Sequence, residues 1–560
     1  MKQYTDLEYL KLTKIQRFGY KIARFFVGIP KGFVALMKKI GRFFAKIGKK
    51  IAGIFVNIGR TFVRGDWKTK MSYFIMGFGN IARGQVLRGL LFFIFEAVFI
   101  VYMILWGGGW LSQIGTLGTQ GPVEEYNEIL DTYTTVYHDN SFKILLYSVL
   151  TIFFIVAFVV TWYMNIEQNR ISEEILGTAE KKQLKKQHKQ DVEAYMAEKG
   201  LSKEQLVNDP GYIEMVTKHE QELAAIGKPL KSGKQDLQSL VDDQFHKTLL
   251  ALPVVGIVVF TVLPIFFMIL VAFTNYDGAH NGYSNNLFHW VGLDNFNTML
   301  NWKSGNKAYS AAFGEILAWT IIWAFFATFT NYFLGMFVAI MINKKGIKLK
   351  KVWRTILVIT IAIPQFISLL YVSKMFSDNG IVLHYLKQWF HVPETFSFIG
   401  TNANKWVARA TVIGINIWIG IPYLMLIATG ILMNIPEDLY ESAKIDGANV
   451  WQQYTKITLP YMIFITGPYL LTSFIGNMNN FNVIFLLTGG GPTNGAASGA
   501  SGSVGYTDLL ITWLFKITTG ANSEYYMASV IGILVFVVVA VFSIIVYNIM
   551  PSTKNEEDFQ

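Results

Sequence analysis

Long apolar runs separated by short charged loops dominate the chain from about residue 88 onward. About 20 mostly apolar residues cross the hydrocarbon of a bilayer as a helix. The pattern predicts eight such spans, at 88 to 107, 143 to 163, 248 to 273, 313 to 342, 355 to 376, 407 to 432, 462 to 487 and 527 to 549. Ahead of them, Phe33, Met37, Ile40, Phe44, Ile47, Ile51, Ile54, Ile58 and Phe62 recur every three or four residues and make one helical face apolar. Lys38, Lys39, Arg42, Lys46, Lys49 and Lys50 lie mostly off that stripe, as in a helix lying in an anionic membrane interface. The expected class is all-α, a polytopic membrane helical bundle.

The pattern also suggests an order of segments: a basic amphipathic membrane-surface segment at 1–86, the first two spans at 87–164, a charged helical cytoplasmic insert at 165–246, a core of six spans at 247–550 and a cytoplasmic tail at 551–560. Within the insert, Asp209, Pro210 and Gly211 interrupt a helix-favouring composition. Lys344, Lys345, Lys348, Lys350, Lys351 and Arg354 place the loop between spans four and five on the cytoplasmic side. The stretch Gly89 to Asn140 has no Lys or Arg but carries Glu124, Glu125, Glu128, Asp131 and Asp139, as an external loop would. An even number of spans then leaves both termini in the cytoplasm.

Composition agrees with a membrane protein: 52% of residues are hydrophobic and only 16% charged. The net charge of +11 sits in the amphipathic segment and in loops, without a globular basic domain, which favours lipid headgroups over nucleic acid as the partner. The absence of Cys excludes disulfides, thiolate metal sites and a Cys nucleophile. No cleavable signal is expected at the start, because the first long uncharged apolar run lies beyond Arg88.

Between spans six and seven, Pro436-Glu437-Asp438-Leu439-Tyr440-Glu441-Ser442-Ala443-Lys444-Ile445-Asp446-Gly447 leads on to Ile457-Thr458-Leu459-Pro460. Pro436 suits a first helical turn, Glu437 and Asp438 complement the dipole there, and Gly447 permits a sharp turn before a second short helix from Asn449. Glu441, Ser442, Ala443, Gly447, Ile457, Leu459 and Pro460 fall at spacings that resemble the EAA coupling loop of ABC importer permeases, with Ser442 in place of the first Ala. The resemblance implies the ABC type I importer permease fold, and a loop at 436–460 that docks into a cleft on an ATPase subunit. No phosphate-binding loop stands in the chain itself: the nearest candidate, Gly227 to Gln235, has Ser232 where Gly is needed and Gln235 after Gly233-Lys234. No cofactor is therefore expected on this chain, and ATP and Mg are expected to be used by the partner ATPase.

Amides in apolar spans are costly unless partnered. Ser473, Asn477 and Asn480 fall within roughly 60° of one another on a continuous helix, and Asn416, Gly420 and Tyr423 repeat the spacing in span six. Gly420 removes bulk where a ligand could approach the backbone, and Pro422 is placed to break or kink the helix beside it. Amides suit sugar hydroxyls and a Tyr ring can cover a pyranose face, although the same amides could simply join helices. The run Ser473 to Pro492, followed by Gly505-Tyr506-Thr507-Asp508-Leu509-Leu510, resembles the larger permease subunit of the maltose/maltodextrin type. That similarity covers about 250 to 549. It implies that Asn416, Gly420, Tyr423, Ser473, Asn477 and Asn480 line a sugar site, with Gly476 as their neighbour. Ile361 and Gly476 stand where the maltose-type pattern has aromatic rings, which suggests a pocket for longer or branched oligosaccharides.

The resemblance further implies a second, smaller permease subunit, two ABC ATPase subunits and an extracellular sugar-binding protein. The external loop at about 275 to 312 is too short for a large extracytoplasmic domain, which favours a Gram-positive cell membrane and a lipid-anchored binding protein. Other cargoes, such as a galactoside, a raffinose-type sugar or glycerol phosphate, fit the same family. An ion-coupled secondary transporter would need intramembrane acids, and the spans hold only Glu96 and Glu315. His280, His289, His384 and His391 lack zinc-like spacing, so no metal site and no catalytic residue is expected.

Overall fold

The chain was analysed as a computed structural model that describes residues 13–137, 139–200, 209–231, 233–242, 245–280, 287–300, 307–344, 346–495 and 500–549; the expected tail at 551–560 lies outside them. Among these residues seven helices are long and apolar enough to cross a membrane: Val86–Thr116, Ser141–Leu176, Thr248–Val271, Lys307–Asn343, Lys405–Leu432, Val450–Met478 and Tyr525–Tyr547. They correspond to predicted spans one, two, three, four, six, seven and eight.

Span five differs from the expectation of a continuous helix at 355 to 376. Lys350–Ala362 and Gln365–Phe390 meet at 91°. The cause is local: Pro364 disfavours the helical region for the residue before it, and Ile363 stands at φ −81°, ψ 126°, outside the helix. Pro422, expected to break or kink span six, does not break it and is buried inside the helix Lys405–Leu432.

The chain divides into two compact units, Val34–Phe267 in one and Met1–Phe33 with Met268–Gln560 in the other. In the first, residues 66–85 form short turns folded onto spans one and two. Their backbone groups are met by side chains: Glu96 accepts from the Met76 amide at 2.8 Å, Asn165 from the Gly77 amide at 2.9 Å, and Trp162 Nε1 donates to the Tyr73 carbonyl at 3.0 Å. An unpaired buried peptide group costs about 1–3 kcal/mol, so these polar residues in apolar helices have a structural use. Arg83, with a side chain only 2% exposed, joins Asp66, Asn169 and Glu173 at 2.6, 2.6 and 3.3 Å. Span two continues as one helix to Leu176, and the insert holds helices Thr178–Lys199 and Pro210–Ala225. Asp209 caps the second helix and accepts from Tyr195 Oη at 2.6 Å, and the rings of His188 and His219 stack at 3.9 Å.

The all-helical expectation meets an exception in a short β-hairpin. Pro122–Asn127 pairs antiparallel with Thr132–Tyr137, Asn127 opposite Thr132. The β-branched and aromatic run Thr132-Tyr133-Thr134-Thr135-Val136-Tyr137 favours strand, and Asn127 Oδ1 closes the turn by accepting from the Ile129 amide.

The second unit has its core where spans four, six and seven and the helix Phe481–Thr488 meet. Trp319, Trp323, Val412, Ile415, Val483 and Ile484 form one buried cluster, and Tyr332, Met336, Leu424, Met425 and Met462 another.

Candidate translocation site

A cavity of about 360 Å³ opens among spans four to seven. Six of the seven residues proposed from the sequence line it: Asn416, Gly420, Tyr423, Ser473, Asn477 and Asn480. Gly476 does not. It is exposed, and a Cβ built on it meets nothing within 4 Å, because one residue of helix turns it about 100° from Asn477.

Asn480 reaches the cavity by a different route from the one its spacing suggests. Helix Leu459–Met478 ends before it, and Asn480 caps the next helix, Phe481–Thr488, accepting from the Val483 amide at 3.2 Å. Asn477 then spans the join. Its carboxamide donates to Thr328 Oγ1 at 3.0 Å, its side-chain oxygen accepts from Asn480 at 3.4 Å, and its carbonyl accepts from Trp323 Nε1 at 3.1 Å. Thr328 lies in a π-helical turn, Phe326–Thr330, which widens span four where it faces the amides.

Gly420, on the cavity wall, also makes room for a neighbouring side chain. A Cβ there would lie 2.6 Å from Asn331 Nδ2 and 2.8 Å from its Oδ1, so the missing side chain makes room for Asn331. Asn331 donates to the Ala327 carbonyl at 2.8 Å and reaches the Asn416 carbonyl at 3.5 Å. Its buried Oδ1 has no hydrogen-bond partner among the described residues.

Sequence reasoning missed Asn331, Thr360, Gln365, Ser368 and Tyr469, all on the cavity wall. Tyr469 was within reach, since 469, 473 and 477 share one helical stripe. Thr360, Ile361, Ile363, Pro364, Gln365 and Ser368 reach the wall from the break in span five.

Above the cavity, Glu315 bonds Lys405 Nζ at 2.8 Å and Asn494 Nδ2 at 2.7 Å, with Arg409 at 3.6 Å. Arg409 donates to the Tyr506 carbonyl at 2.8 Å and lies over the Trp319 ring. Glu96 and Glu315, the acids of the predicted spans, are thus engaged by fixed partners. The loop from Gly489 to Leu509 is organised by fully buried Asp508, which accepts from the Gly505 amide, Thr512 Oγ1 and Lys516 Nζ at 2.7, 2.9 and 2.7 Å. Burial pushes its carboxyl above the usual carboxylate range, against the opposing pull of Lys516. Removing one partner of a buried pair costs about 3–5 kcal/mol. Asp508→Ala is expected to destabilise this loop by about 3 kcal/mol, seen as faster proteolysis between Gly489 and Leu509; an unchanged cleavage rate would contradict the assignment.

The loop below the cavity forms two arms. Glu437–Ile445 is a helix whose N-cap is Pro436, one position before the expected first turn. Gly447 turns the chain at φ +77°. Asn449 then opens a helix with a capping box, and this arm runs through the π turn Tyr454–Thr458 into span seven instead of forming a separate short helix. Tyr440 Oη and Thr458 Oγ1 lie 2.9 Å apart and tie the arms together. Glu441 and Ser442 are exposed, Ala443 and Ile457 half-buried, and Leu459 and Pro460 begin the span.

A chain of apolar spans around a polar cavity, with an exposed two-armed loop, defines a membrane transport subunit. Residues 331–555 match the family described as binding-protein-dependent transport system inner membrane component. The galactooligosaccharides transport system permease protein GanP of Bacillus subtilis is 35% identical over 339 residues, covering 59% of this chain and 75% of that protein. The maltodextrin transport system permease protein MalC of Streptococcus pneumoniae is 28% identical over 496 residues, 88% of this chain and 97% of that one. The crystal structure of a bacterial ABC transporter that imports alginate aligns over 57% of this chain and 99% of that chain, at 20% identity and a TM-score of 0.44. This chain belongs to the binding-protein-dependent permease family, among the maltose-type sugar permeases of ABC importers.

Proposed function

We propose that this chain is one half of the membrane path of an importer for maltodextrin-like oligosaccharides, driven by ATP hydrolysed on partner subunits. The observation that carries the reading is the cavity of about 360 Å³ in which Asn416, Ser473, Asn477, Asn480, Tyr423 and Tyr469 converge. Ligand pockets commonly measure about 300–1,000 Å³ and place a few polar groups on an apolar wall. Carboxamides supply both donors and acceptors for hydroxyls, and Tyr423, 52% exposed, offers a ring to a pyranose face. Maltodextrin and galactooligosaccharide relatives together support an oligosaccharide cargo.

The partners follow from the same reading. A second, smaller permease completes the path, an extracellular lipid-anchored binding protein delivers sugar, and two ATPases carry ATP and Mg. Leu439, Ile445, Val450 and Trp451 stand 48%, 87%, 83% and 70% exposed around Gly447, a surface suited to an ATPase cleft. ATP-driven closure of the ATPases moves the two arms together and opens the cavity outward; hydrolysis resets it. Both termini lie in the cytoplasm of a Gram-positive cell in this scheme.

Ile361 on the cavity wall leaves room where the maltose-type pattern carries a ring. Substrates longer than the disaccharide are therefore expected to stimulate ATP hydrolysis by the reconstituted complex. A size series from maltose to maltoheptaose tests this; stimulation by maltose alone would refute it.

A further inference from the structure

Between Lys14 and Arg64 the chain forms one helix of 51 residues holding thirteen Lys or Arg and no Asp or Glu. Thirteen exceeds the +11 net charge of the whole protein, so the entire positive excess resides in this helix. At about 100° per residue the basic positions from Lys38 to Arg64 fall within an arc of about 120°. The apolar stripe from Phe44 to Phe62 occupies the opposite side.

That stripe is largely uncovered. Phe44, Ile51 and Phe62 are 64%, 48% and 40% exposed. Its C-terminal end is held: Tyr73 Oη donates to the Ile58 carbonyl at 2.7 Å, and the Phe62 and Tyr73 rings pack edge to face. Tyr73 in turn packs on Trp162 of span two, and the Arg83 cluster fixes residues 66–85 beside the start of span one at Val86. The end of the helix is thus anchored to the turns from which the chain enters the bilayer. Charge decides what covers the rest. A water-soluble protein partner would have to match a uniformly cationic face as well as an apolar one, whereas an anionic bilayer supplies both in one surface, acyl chains under the stripe and phosphates beside the lysines.

We propose that the helix lies flat on an anionic lipid surface, with Phe44, Ile47, Ile51 and Ile54 inserted among the acyl chains and Lys46, Lys49 and Lys50 at the phosphates. Docking then depends on lipid charge, while insertion of the spans does not.

The natural chain contains no cysteine, so single nitroxide labels can be placed on the full-length permease without background. Labels at Phe44→Cys, Ile47→Cys and Ile51→Cys, and at Lys46→Cys and Lys49→Cys, are compared in bilayers of phosphatidylcholine alone and of phosphatidylcholine mixed equally with phosphatidylglycerol. In the anionic bilayer the first group should be accessible to oxygen and shielded from a water-soluble nickel reagent, and the second group the reverse. The contrast should fall severalfold in the neutral bilayer, and in the anionic one when those of Lys46, Lys49 and Lys50 that do not carry the label are replaced by Gln. Stripe labels shielded from both reagents would show a protein-covered face and overturn the proposal. So would water-exposed labels, or identical profiles in the two bilayers.

Discussion

Gly420→Ala is expected to lower sugar uptake about tenfold, and a second substitution, Asn331→Ala, to restore most of it. The new methyl group would sit 2.6 Å from Asn331 Nδ2, closer than any ordinary contact. Asn331 has little room to yield, being 5% exposed and bonded to the Ala327 carbonyl at 2.8 Å. Overpacking of this kind costs about 1–3 kcal/mol. The strain falls at the crossing of spans four and six, whose separation shapes the cavity. Trimming Asn331 removes the collision, so uptake by the double variant reads out directly whether the glycine exists for its neighbour. If the bound sugar instead approached the Gly420 backbone, the methyl group would block it regardless of Asn331 and no recovery would occur. Uptake of labelled maltodextrin into vesicles containing the complete importer makes the measurement.

The second large effect is expected at the turn of the cytoplasmic loop. Gly447 holds φ +77° and a Cβ there meets no atom within 4 Å, so substitution acts through the backbone alone. A β-branched residue is a strong outlier in this region, and each L-residue forced into it loses roughly 1–2 kcal/mol. Gly447→Val is therefore expected to redirect the arm after Asn449 and to cut sugar-stimulated ATP hydrolysis by the assembled complex about tenfold or more. Gly447→Asn, which tolerates left-handed backbone, should keep most of it. Membrane insertion and sugar protection of the cavity should remain normal in both, because Tyr440 and Thr458 still tie the base of the loop. Full stimulation in Gly447→Val would remove this loop from the path of force.

These two glycines mark where sequence reading succeeded and where it stopped. Gly447 was legible, since a glycine after a short amphipathic helix and before an Asn cap calls for a left-handed turn, and that is a property of neighbouring residues. Gly420 was legible as a place where bulk is missing on the cavity wall, but not as a place that accommodates Asn331. The atom it accommodates belongs to Asn331, on another span, and nothing local announces that neighbour. Asn480 teaches the same lesson: its spacing from Ser473 and Asn477 assumes one helix, yet the chain leaves the helix after Met478 and Asn480 caps the next one. Pro364 was readable by the rule that a residue before proline avoids the helical region, but the apolar run around it concealed the break.

The sequence by itself determined seven of the spans, the amphipathic helix and the turn at Gly447, because hydrophobic periodicity, charge and turn chemistry act over a few residues. Only the tertiary structure decided which polar groups share the cavity and which glycine yields to which side chain. It also showed that Glu96 and Glu315 are already engaged. Those outcomes depend on helices far apart in the chain, as with Asn331 and Asn416, 85 positions apart. A helix's own periodicity reports which of its faces avoids water, but not what that face will meet.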